Sequence, residues 1–195
     1  MPGKFFMLCI LWIAACSSPS HTNPRIQIQT KSGDIEIELY ADKAPLTVKA
    51  FLSYVDSGFY RDAFFYRVLN DNNQPSDAFK ANFIQGGIWK NSRRRSESLK
   101  GIPHETTRQT NIQHKDGIIS LARTEPGTAT TEFFICVGDQ PGFDYGGDNN
   151  PDKQGYAAFG KVIRGMDIVM KVYNEPEFDQ VFDPLVPIFN IKRLK

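Results

Sequence analysis

Several short segments place an arginine, a glutamine and several phenylalanines where they could act together. Arg67 directly follows three aromatic residues at positions 64–66. Gln85 lies two residues after Phe83, in a segment that ends in two glycines. A guanidinium offers N–H donors in a rigid fork and stays charged at physiological pH. Neighbouring Phe rings can form an apolar slot that excludes water. The chemistry that this combination favours is non-covalent hydrogen bonding to a group held in an apolar pocket.

Patterns typical of other catalytic chemistries do not occur in the sequence. There is no Gly-rich phosphate loop and no nucleophile elbow. The three histidines lack the tight spacing of metal ligands. Residues 148–152 begin like a calcium loop, but Lys153 stands where that loop needs Gly and Phe159 where it needs Glu. We therefore expect no cofactor and assign no metal ligands, although a looser cation site in this segment is left open.

The segments that must position these groups have the pattern of short β-strands. Apolar residues between 26 and 39 alternate with polar ones around a turn at 31–34, which predicts a hairpin. Residues 45–58 predict a helix, with Pro45 in its first turn, one apolar face, and Gly58 at its end. Further strands are predicted over 64–69, 83–85, 117–123, 132–137, 157–163 and 188–194, with a second short helix after Gly165. Many short strands with only two helices predict an antiparallel barrel.

Long polar connections interrupt this pattern at 70–81, 90–112 and 146–155. Connections of this length are uncommon unless they are functional or disordered. The second contains the one local basic run, Arg93-Arg94-Arg95, which we predict to be a solvated loop.

Taken in order, five segments resemble the cyclophilin family. They are Phe65-Tyr66-Arg67-Val68, Gln85-Gly86-Gly87, Ser120-Leu121-Ala122, Phe133-Phe134-Ile135 and Phe159-Gly160-Lys161-Val162. The resemblance runs from about residue 26 to residue 194. It implies a mainly β fold, a closed eight-stranded antiparallel cyclophilin-like barrel with two flanking helices. It also implies peptidyl-prolyl cis-trans isomerase activity without a cofactor.

Rotation of an X–Pro bond requires neither a covalent step nor a metal. It must cross a barrier of about 18–20 kcal/mol that amide resonance sets. As the bond twists, the prolyl nitrogen regains a lone pair, to which a guanidinium can donate. Only an interaction that is stronger in the twisted state than in the planar state accelerates the rotation.

The resemblance also implies roles for individual residues. Arg67 is the catalytic guanidinium, Gln85 orients it together with the substrate, and Ala122 lines the groove for the peptide backbone. The residues expected to bind substrate are Phe65, Tyr66, Phe83, Gln85, Ala122, Arg123, Glu132, Phe134, Phe143 and Tyr156.

The occupant of one pocket position is left open by the sequence. Because residues 70–81 lengthen the path from the Arg67 strand, either Asn82 or Phe83 takes this position. We prefer Phe83, since an apolar ring suits a slot for proline. Phe134 taken alone could be ordinary core, because alternate residues of a strand face inward.

Side chains at the rim of the predicted groove differ from those of familiar eukaryotic members. Glu132 stands where Gln is usual, Arg123 where Asn is usual, and Tyr156 where His is usual. Phe143 can fill the role of a family Leu. We expect Glu132 and Arg123 to form an ion pair at the groove edge, which would change the sequence preference around the proline.

The first 24 residues are expected to lie outside the fold. Lys4 precedes an apolar run over 5–15, which is shorter than the roughly 20 residues of a membrane-spanning helix. This pattern predicts a secretory signal over residues 1–15. The order Ile13-Ala14-Ala15-Cys16 resembles a bacterial lipobox, so Cys16 is expected to carry lipid, and a plain signal peptide is the alternative. Residues 16–24 then form a flexible tether, and 25–195 form the cyclophilin-like domain.

A lipid on Cys16 would anchor the protein in the cell envelope. If the source is Gram-negative, Ser17 after the cysteine favours the periplasm-facing side of the outer membrane. The expected partners are proline-containing unfolded or exported polypeptides and, through the anchor, the membrane. The formal net charge of +1 gives no basic footprint for nucleic acid, and we expect a monomer.

Two alternatives of other classes are left open by the sequence. One is a catalytically weak proline-peptide-binding or holdase module that uses the same groove. The other is a scaffold lipoprotein whose long loops bind a partner.

Overall fold

A computed structural model describes residues 23–194. The strands are β1 (Arg25–Thr30), β2 (Gly33–Leu39), β3 (Ala63–Leu69), β4 (Phe83–Gly87), β5 (Ile118–Leu121), β6 (Phe133–Cys136), β7 (Ala157–Arg164), β8 (Glu177–Phe178) and β9 (Val181–Leu194). Eight of them form an antiparallel barrel in the order β1-β2-β7-β5-β6-β4-β3-β9, which closes because β9 pairs with β1. The two-residue β8 pairs with the start of β9. The predicted eight-stranded barrel is confirmed.

In the part of the chain that the structure describes, four α-helices flank the barrel, where the sequence predicts two helices. They are α1 (Pro45–Asp56), α2 (Trp89–Ser98), α3 (Thr107–Thr110) and α4 (Met166–Tyr173). The predictions of α1 and α4 are confirmed, whereas the loop predicted over 90–112 is wrong because α2 and α3 lie within it. The basic run at 93–95 is exposed as expected, but it lies on α2.

The start of α2 is stabilised by a residue that is distant in sequence. The Glu132 carboxylate accepts hydrogen bonds from the backbone N–H groups of Ile88 (3.0 Å) and Trp89 (3.1 Å). These N–H groups lie at a helix end, where no carbonyl of the helix itself can accept them. A cap supplied by tertiary contact leaves no local signal, so the sequence around residue 89 does not indicate a helix.

The barrel interior is an apolar core that α1 closes at one end. Phe51 of α1 packs against Phe133 and Phe159, with ring centroids 5.9 and 5.0 Å away. A second and smaller cluster consists of Leu69, Ala81, Phe83, Phe134, Cys136 and Phe143. Phe133 and Phe134 belong to different clusters because successive residues of a strand point to opposite faces of the sheet.

The last strand begins at Val181, earlier than the predicted start at residue 188. The sequence prediction stopped at its two prolines, which lack an N–H for a strand ladder. The pairing of β9 with β3 jumps from Val186 to Val181, so Pro184 lies in a stretch that this ladder skips.

Within residues 23–194, no helix combines the length and the apolar character needed to cross a membrane. The predicted signal over 1–15, Cys16 and most of the predicted tether lie outside the described residues.

Candidate active site

Arg67 faces the outside of the barrel because β3 contains a bulge. The pairing of β3 with both β4 and β9 shifts between Phe65 and Arg67. Phe65 and Val68 both belong to the main core, so the residues between them, Tyr66 and Arg67, are turned away from it. A bulge inserts one extra residue and re-aims the side chains that follow it. The bulge therefore presents two adjacent side chains, Tyr66 and Arg67, to the same outer surface.

Arg67 lies at a cavity of about 320 Å³ whose apolar wall consists of aromatic rings. Phe134 is at the centre of this wall, 5.3 Å from Phe83, 5.2 Å from Phe143 and 5.2 Å from Tyr156, measured between ring centroids. Rings at these separations and tilted orientations pack favourably. Four separate segments of the chain thus build one apolar slot beside the guanidinium.

The structure distinguishes the two candidates for the open pocket position. Phe83 lines the cavity, and the Arg67 guanidinium lies 5.6 Å from the centre of its ring. The Asn82 amide instead bonds outside the cavity, to Asp71 and to the Tyr173 hydroxyl. The preference for Phe83 is therefore consistent with the geometry.

Hydrogen bonds fix the orientation of the Arg67 guanidinium. Its Nη2 and Nε donate to Oε1 of Gln180, at 2.8 and 3.3 Å, and its Nη1 lies 3.5 Å from Oε1 of Gln85. Gln85 in turn donates from Nε2 to the Tyr66 hydroxyl at 2.7 Å. Burial lowers the pKa of Arg67 from its ordinary value. The side chain is nevertheless an arginine, which proteins do not deprotonate.

Gln180, the closest hydrogen-bond partner of Arg67, is not indicated by the sequence. It lies in the turn between β8 and β9 and adopts a left-handed backbone conformation, φ 68°. Its carbonyl accepts from the N–H of Val68 at 2.9 Å, so the turn is tied directly to β3. No motif or periodicity marks this position, because its role depends on a turn that meets β3 only in the folded barrel.

The structure contradicts the expectation that Phe65 contributes to the pocket. Its side chain is fully buried in the barrel and packs edge-on against Phe133 at 5.9 Å. Strict alternation would have placed residues 65 and 67 on the same face, and the bulge breaks this alternation.

The expected ion pair between Arg123 and Glu132 does not form. Arg123 instead forms a bidentate ion pair with the Asp152 carboxylate, at 2.7 and 2.9 Å. It also donates to the carbonyl of Gly155. Its guanidinium also lies 5.3 Å from the ring of Tyr156. Arg123 therefore fixes the loop that carries Tyr156, although it still lines the cavity.

Glu132 is turned inward and holds α2 through the backbone bonds described above. Its approach requires Gly87, because a side chain there would collide with the carboxylate. Burial raises the pKa of Glu132, against the opposing effect of its hydrogen bonds. Burial and the neighbouring Glu132 carboxylate raise the pKa of Tyr66 as well. Tyr66 and Glu132 line a neighbouring cavity of about 520 Å³, which also includes Arg67, Gln85 and Ala122.

A buried histidine supports the aromatic wall from behind and was not predicted as part of the site. The His114 ring is 6.0 Å from Phe134 and 5.7 Å from Phe143. Its Nδ1 lies 2.7 Å from Asp144 and its Nε2 lies 3.0 Å from the Ser120 hydroxyl. Burial lowers the pKa of His114, which favours the neutral ring.

Comparisons with known proteins agree with this architecture. The family described as "Cyclophilin type peptidyl-prolyl cis-trans isomerase/CLD" matches residues 25–193. A peptidyl-prolyl cis-trans isomerase of Acinetobacter baylyi is 36% identical over 82% of this chain and 77% of its own. Peptidyl-prolyl cis-trans isomerase B of Escherichia coli is 34% identical over 75% of this chain and 82% of its own.

A solved structure gives the same fold at low sequence identity. The cyclophilin-type isomerase of Cryptosporidium parvum superposes with a TM-score of 0.68 at 22% identity, covering 89% of this chain and 98% of that one. A barrel of this topology defines a cyclophilin-like fold. The chain belongs to the cyclophilin family of peptidyl-prolyl cis-trans isomerases, and its reaction is the rotation of X–Pro peptide bonds.

Proposed function

We propose that Arg67 is the catalytic residue of this isomerase and that the aromatic slot beside it holds the substrate proline. The proposal rests on the Arg67 guanidinium, which donates to Gln180 at 2.8 Å at the edge of a cavity of about 320 Å³ with one aromatic wall. The slot is formed by Phe83, Phe134, Phe143 and Tyr156. A pyrrolidine ring is apolar and compact, so it can enter such a slot while its amide stays beside the charge.

The fixed guanidinium of Arg67 can stabilise the twisted state of the X–Pro amide. In the planar amide, the prolyl nitrogen shares its lone pair with the carbonyl and accepts hydrogen bonds poorly. In the twisted amide, the lone pair returns to nitrogen, so the N–H groups of Arg67 not engaged by Gln180 or Gln85 can bond to it. A donor already fixed in place requires no reorganisation as the bond twists. Gln85 and Gln180 act as positioning residues for Arg67.

An isomerase assay on Arg67→Ala tests this assignment. NMR exchange spectroscopy on an Ala-Pro peptide measures cis–trans rotation without a coupling protease. We expect kcat/KM to fall by about 10²–10³-fold, the usual effect of removing a transition-state donor. The matched control is Arg164→Ala, which removes an arginine whose side chain is 76% exposed and lies outside the cavity. Activity of Arg67→Ala within about threefold of wild type would reject the assignment.

The other residues at the groove are proposed to have two different roles. Ala122 and Tyr66 line the groove on either side of Gln85 and are proposed to contact the peptide. The side chains of Arg123 and Glu132 also line it, but the Arg123 guanidinium is paired with Asp152 and Oε1 of Glu132 accepts from backbone N–H groups. We propose that they shape the groove rather than pair with charged substrate groups. The relatives described above are isomerases, so the alternative of a catalytically weak holdase is not favoured.

We infer that the isomerase is lipid-anchored in the cell envelope and acts on exported or unfolded polypeptides as a monomer. Support comes from the sequence, where an apolar run over 5–15 ends in Ile13-Ala14-Ala15-Cys16. More than one acyl chain would hold the protein firmly on a membrane. The domain would then meet chains near that surface.

Metabolic labelling with a fatty-acid analogue tests the anchor in bacterial cells that process lipoproteins. We expect wild type to incorporate the label and Cys16→Ser to lose it. Cys9→Ser is the matched control, because Cys9 lies inside the predicted signal and should not affect labelling. Label retained by Cys16→Ser, or absent from wild type, would contradict the anchor while leaving the isomerase activity unaffected.

A further inference from the structure

The groove beside Arg67 extends beyond the aromatic slot in two directions. On one side, the cavity of about 520 Å³ shares Arg67, Gln85, Ala122 and Arg123 with the Arg67 cavity. On the other side, a cavity of about 380 Å³ shares Phe79, Phe143 and Asn149 with it. A peptide whose proline fills the slot has room to continue along the surface in both directions. Phe79 stands where the second continuation begins.

Phe79 belongs to the 70–81 segment, which forms one wall of the Arg67 cavity. Gln74, Pro75, Ala78 and Phe79 line this wall. The segment follows β3 directly and leads into β4, so both of its ends are fixed by strands that carry the site. The long connection noted in the sequence is therefore part of the groove.

Internal hydrogen bonds hold this segment in shape. The Gln74 amide donates to the carbonyls of Asn70 (2.7 Å) and Ala81 (2.9 Å) and accepts from the N–H of Ala81 at 3.0 Å. Gln180, which holds Arg67, also donates to the carbonyl of Asn73 at 3.1 Å. A wall braced in this way is already ordered before a ligand arrives, which reduces the entropic cost of binding.

Phe79 is unusually exposed for a large apolar side chain in a braced segment, with 63% of its surface accessible. The ammonium of its neighbour Lys80 is held against the backbone of the same segment, where it donates to the carbonyls of Gln74 (3.1 Å) and Pro75 (2.9 Å). The opposite continuation is lined by a mixture of aromatic, apolar and polar side chains, among them Trp89, Leu99 and Thr124. Phe79 is the exposed aromatic ring at its own end of the groove.

We propose that residues 70–81 form a substrate subsite in which Phe79 contacts a large apolar or aromatic side chain next to the proline. This inference rests on the proposed function, since it takes the proline to lie in the aromatic slot. The peptide runs past Phe79 on one side of the proline only. Selectivity that depends on Phe79 is therefore expected at one flanking position and not at the other.

Two series of peptides and five proteins, wild type and four variants, test the subsite. One series varies the residue before proline and the other varies the residue after it, each with Phe, Leu, Ala and Lys, and NMR exchange spectroscopy gives kcat/KM. In one series, we expect wild type to prefer Phe over Ala by about fivefold, the order of a favourable aromatic contact. Phe79→Ala should reduce this ratio to near one, and Phe79→Trp should retain it.

The matched control is Phe189→Ala, because Phe189 is 53% exposed and lies outside the three cavities. Its Phe-to-Ala ratio should equal that of wild type. The proposed subsite would be contradicted if the wild-type ratio of kcat/KM for the Phe and Ala peptides were near one in both series. It would also be contradicted if Phe79→Ala kept the wild-type ratio. Neither outcome bears on Arg67, because rotation of the Ala-flanked peptide and its loss in Arg67→Ala are measured in the same experiment.

Discussion

The centre of the groove and its rim use arginine in different ways. At the centre, Arg67 is held by neutral amides, Gln180 and Gln85, and its charge faces the cavity. At the rim, the charge of Arg123 is matched by Asp152, and its side chain is only 1% exposed. A guanidinium held by neutral acceptors keeps its charge for a ligand, whereas one paired with a carboxylate supports structure. The partners of an arginine, and not its presence in a cavity, indicate its role.

The first prediction uses two phenylalanines on opposite sides of the barrel wall. Phe134→Ala should reduce kcat/KM by about 100-fold, because loss of a large aromatic contact costs about 3 kcal/mol. Phe65→Ala should instead lower the free energy of unfolding by about 3–5 kcal/mol, since it leaves a cavity in the core. Urea unfolding and isomerase kinetics on both variants measure the two effects. If Phe65→Ala stays folded and loses activity as strongly as Phe134→Ala, the assignment of Phe65 to the core alone is wrong.

The second prediction concerns Gln180, whose bond to Arg67 defines the centre. Gln180→Ala should reduce kcat by about tenfold with little change in KM, because a misplaced catalytic group chiefly affects the reacting state. Gln180→Glu keeps the acceptor oxygen but pairs Arg67 with a carboxylate, so its kcat should fall at least as far as that of Gln180→Ala. Wild-type kcat in Gln180→Glu, or an effect on KM alone in Gln180→Ala, would contradict this role for Gln180.

The third prediction concerns the rim. Arg123→Ala should lower the free energy of unfolding by about 1–3 kcal/mol, less than for a fully buried pair because Asp152 is partly exposed. Its kcat/KM on an Ala-Pro peptide should stay within about threefold of wild type. A loss approaching that of Arg67→Ala would mean that both arginines serve the reaction, and the contrast between centre and rim would fail.

The smallest expected effect is a pH dependence that His114 contributes. Because burial lowers the pKa of His114 from its ordinary 6.5, the unfolded chain binds this proton more readily than the folded one. The contribution of His114 to stability is therefore complete above about pH 6.5 and declines as the pH falls below it. His114→Gln should narrow the difference in unfolding free energy between pH 7.5 and pH 5. An unchanged difference would show that the ring is not held neutral by burial.

The sequence predicted the barrel better than the contacts within the groove. Alternating apolar residues determine which strand faces are buried, and this pattern was sufficient for the hairpin of β1 and β2. Apolar residues three and four positions apart were sufficient for α1. Features that depend on contacts between distant segments were missed, as with the bulge after Phe65 and the cap that Glu132 gives to α2.

The resemblance to the family also did not indicate the bonding partners of Arg123 and Glu132, two residues that differ from those usual in the family. Arg123 and Glu132 were expected to pair with each other because both replace neutral family residues. In the fold, Arg123 pairs with the carboxylate of Asp152 on the 146–155 loop. Glu132 instead accepts from the backbone N–H groups at the start of α2. Which partner a charged side chain finds depends on loop geometry, and neither the alternation of apolar residues nor the spacing of motifs indicates that geometry.

We propose that the fork of N–H donors of Arg67, and not merely its positive charge, accelerates rotation of the X–Pro bond. Arg67→Lys separates the two, because lysine keeps the charge but cannot donate in the same fixed plane. We expect kcat/KM of Arg67→Lys on an Ala-Pro peptide, measured by NMR exchange spectroscopy, to fall by between about 10- and 100-fold. Wild-type activity in Arg67→Lys would show that the positive charge alone is sufficient.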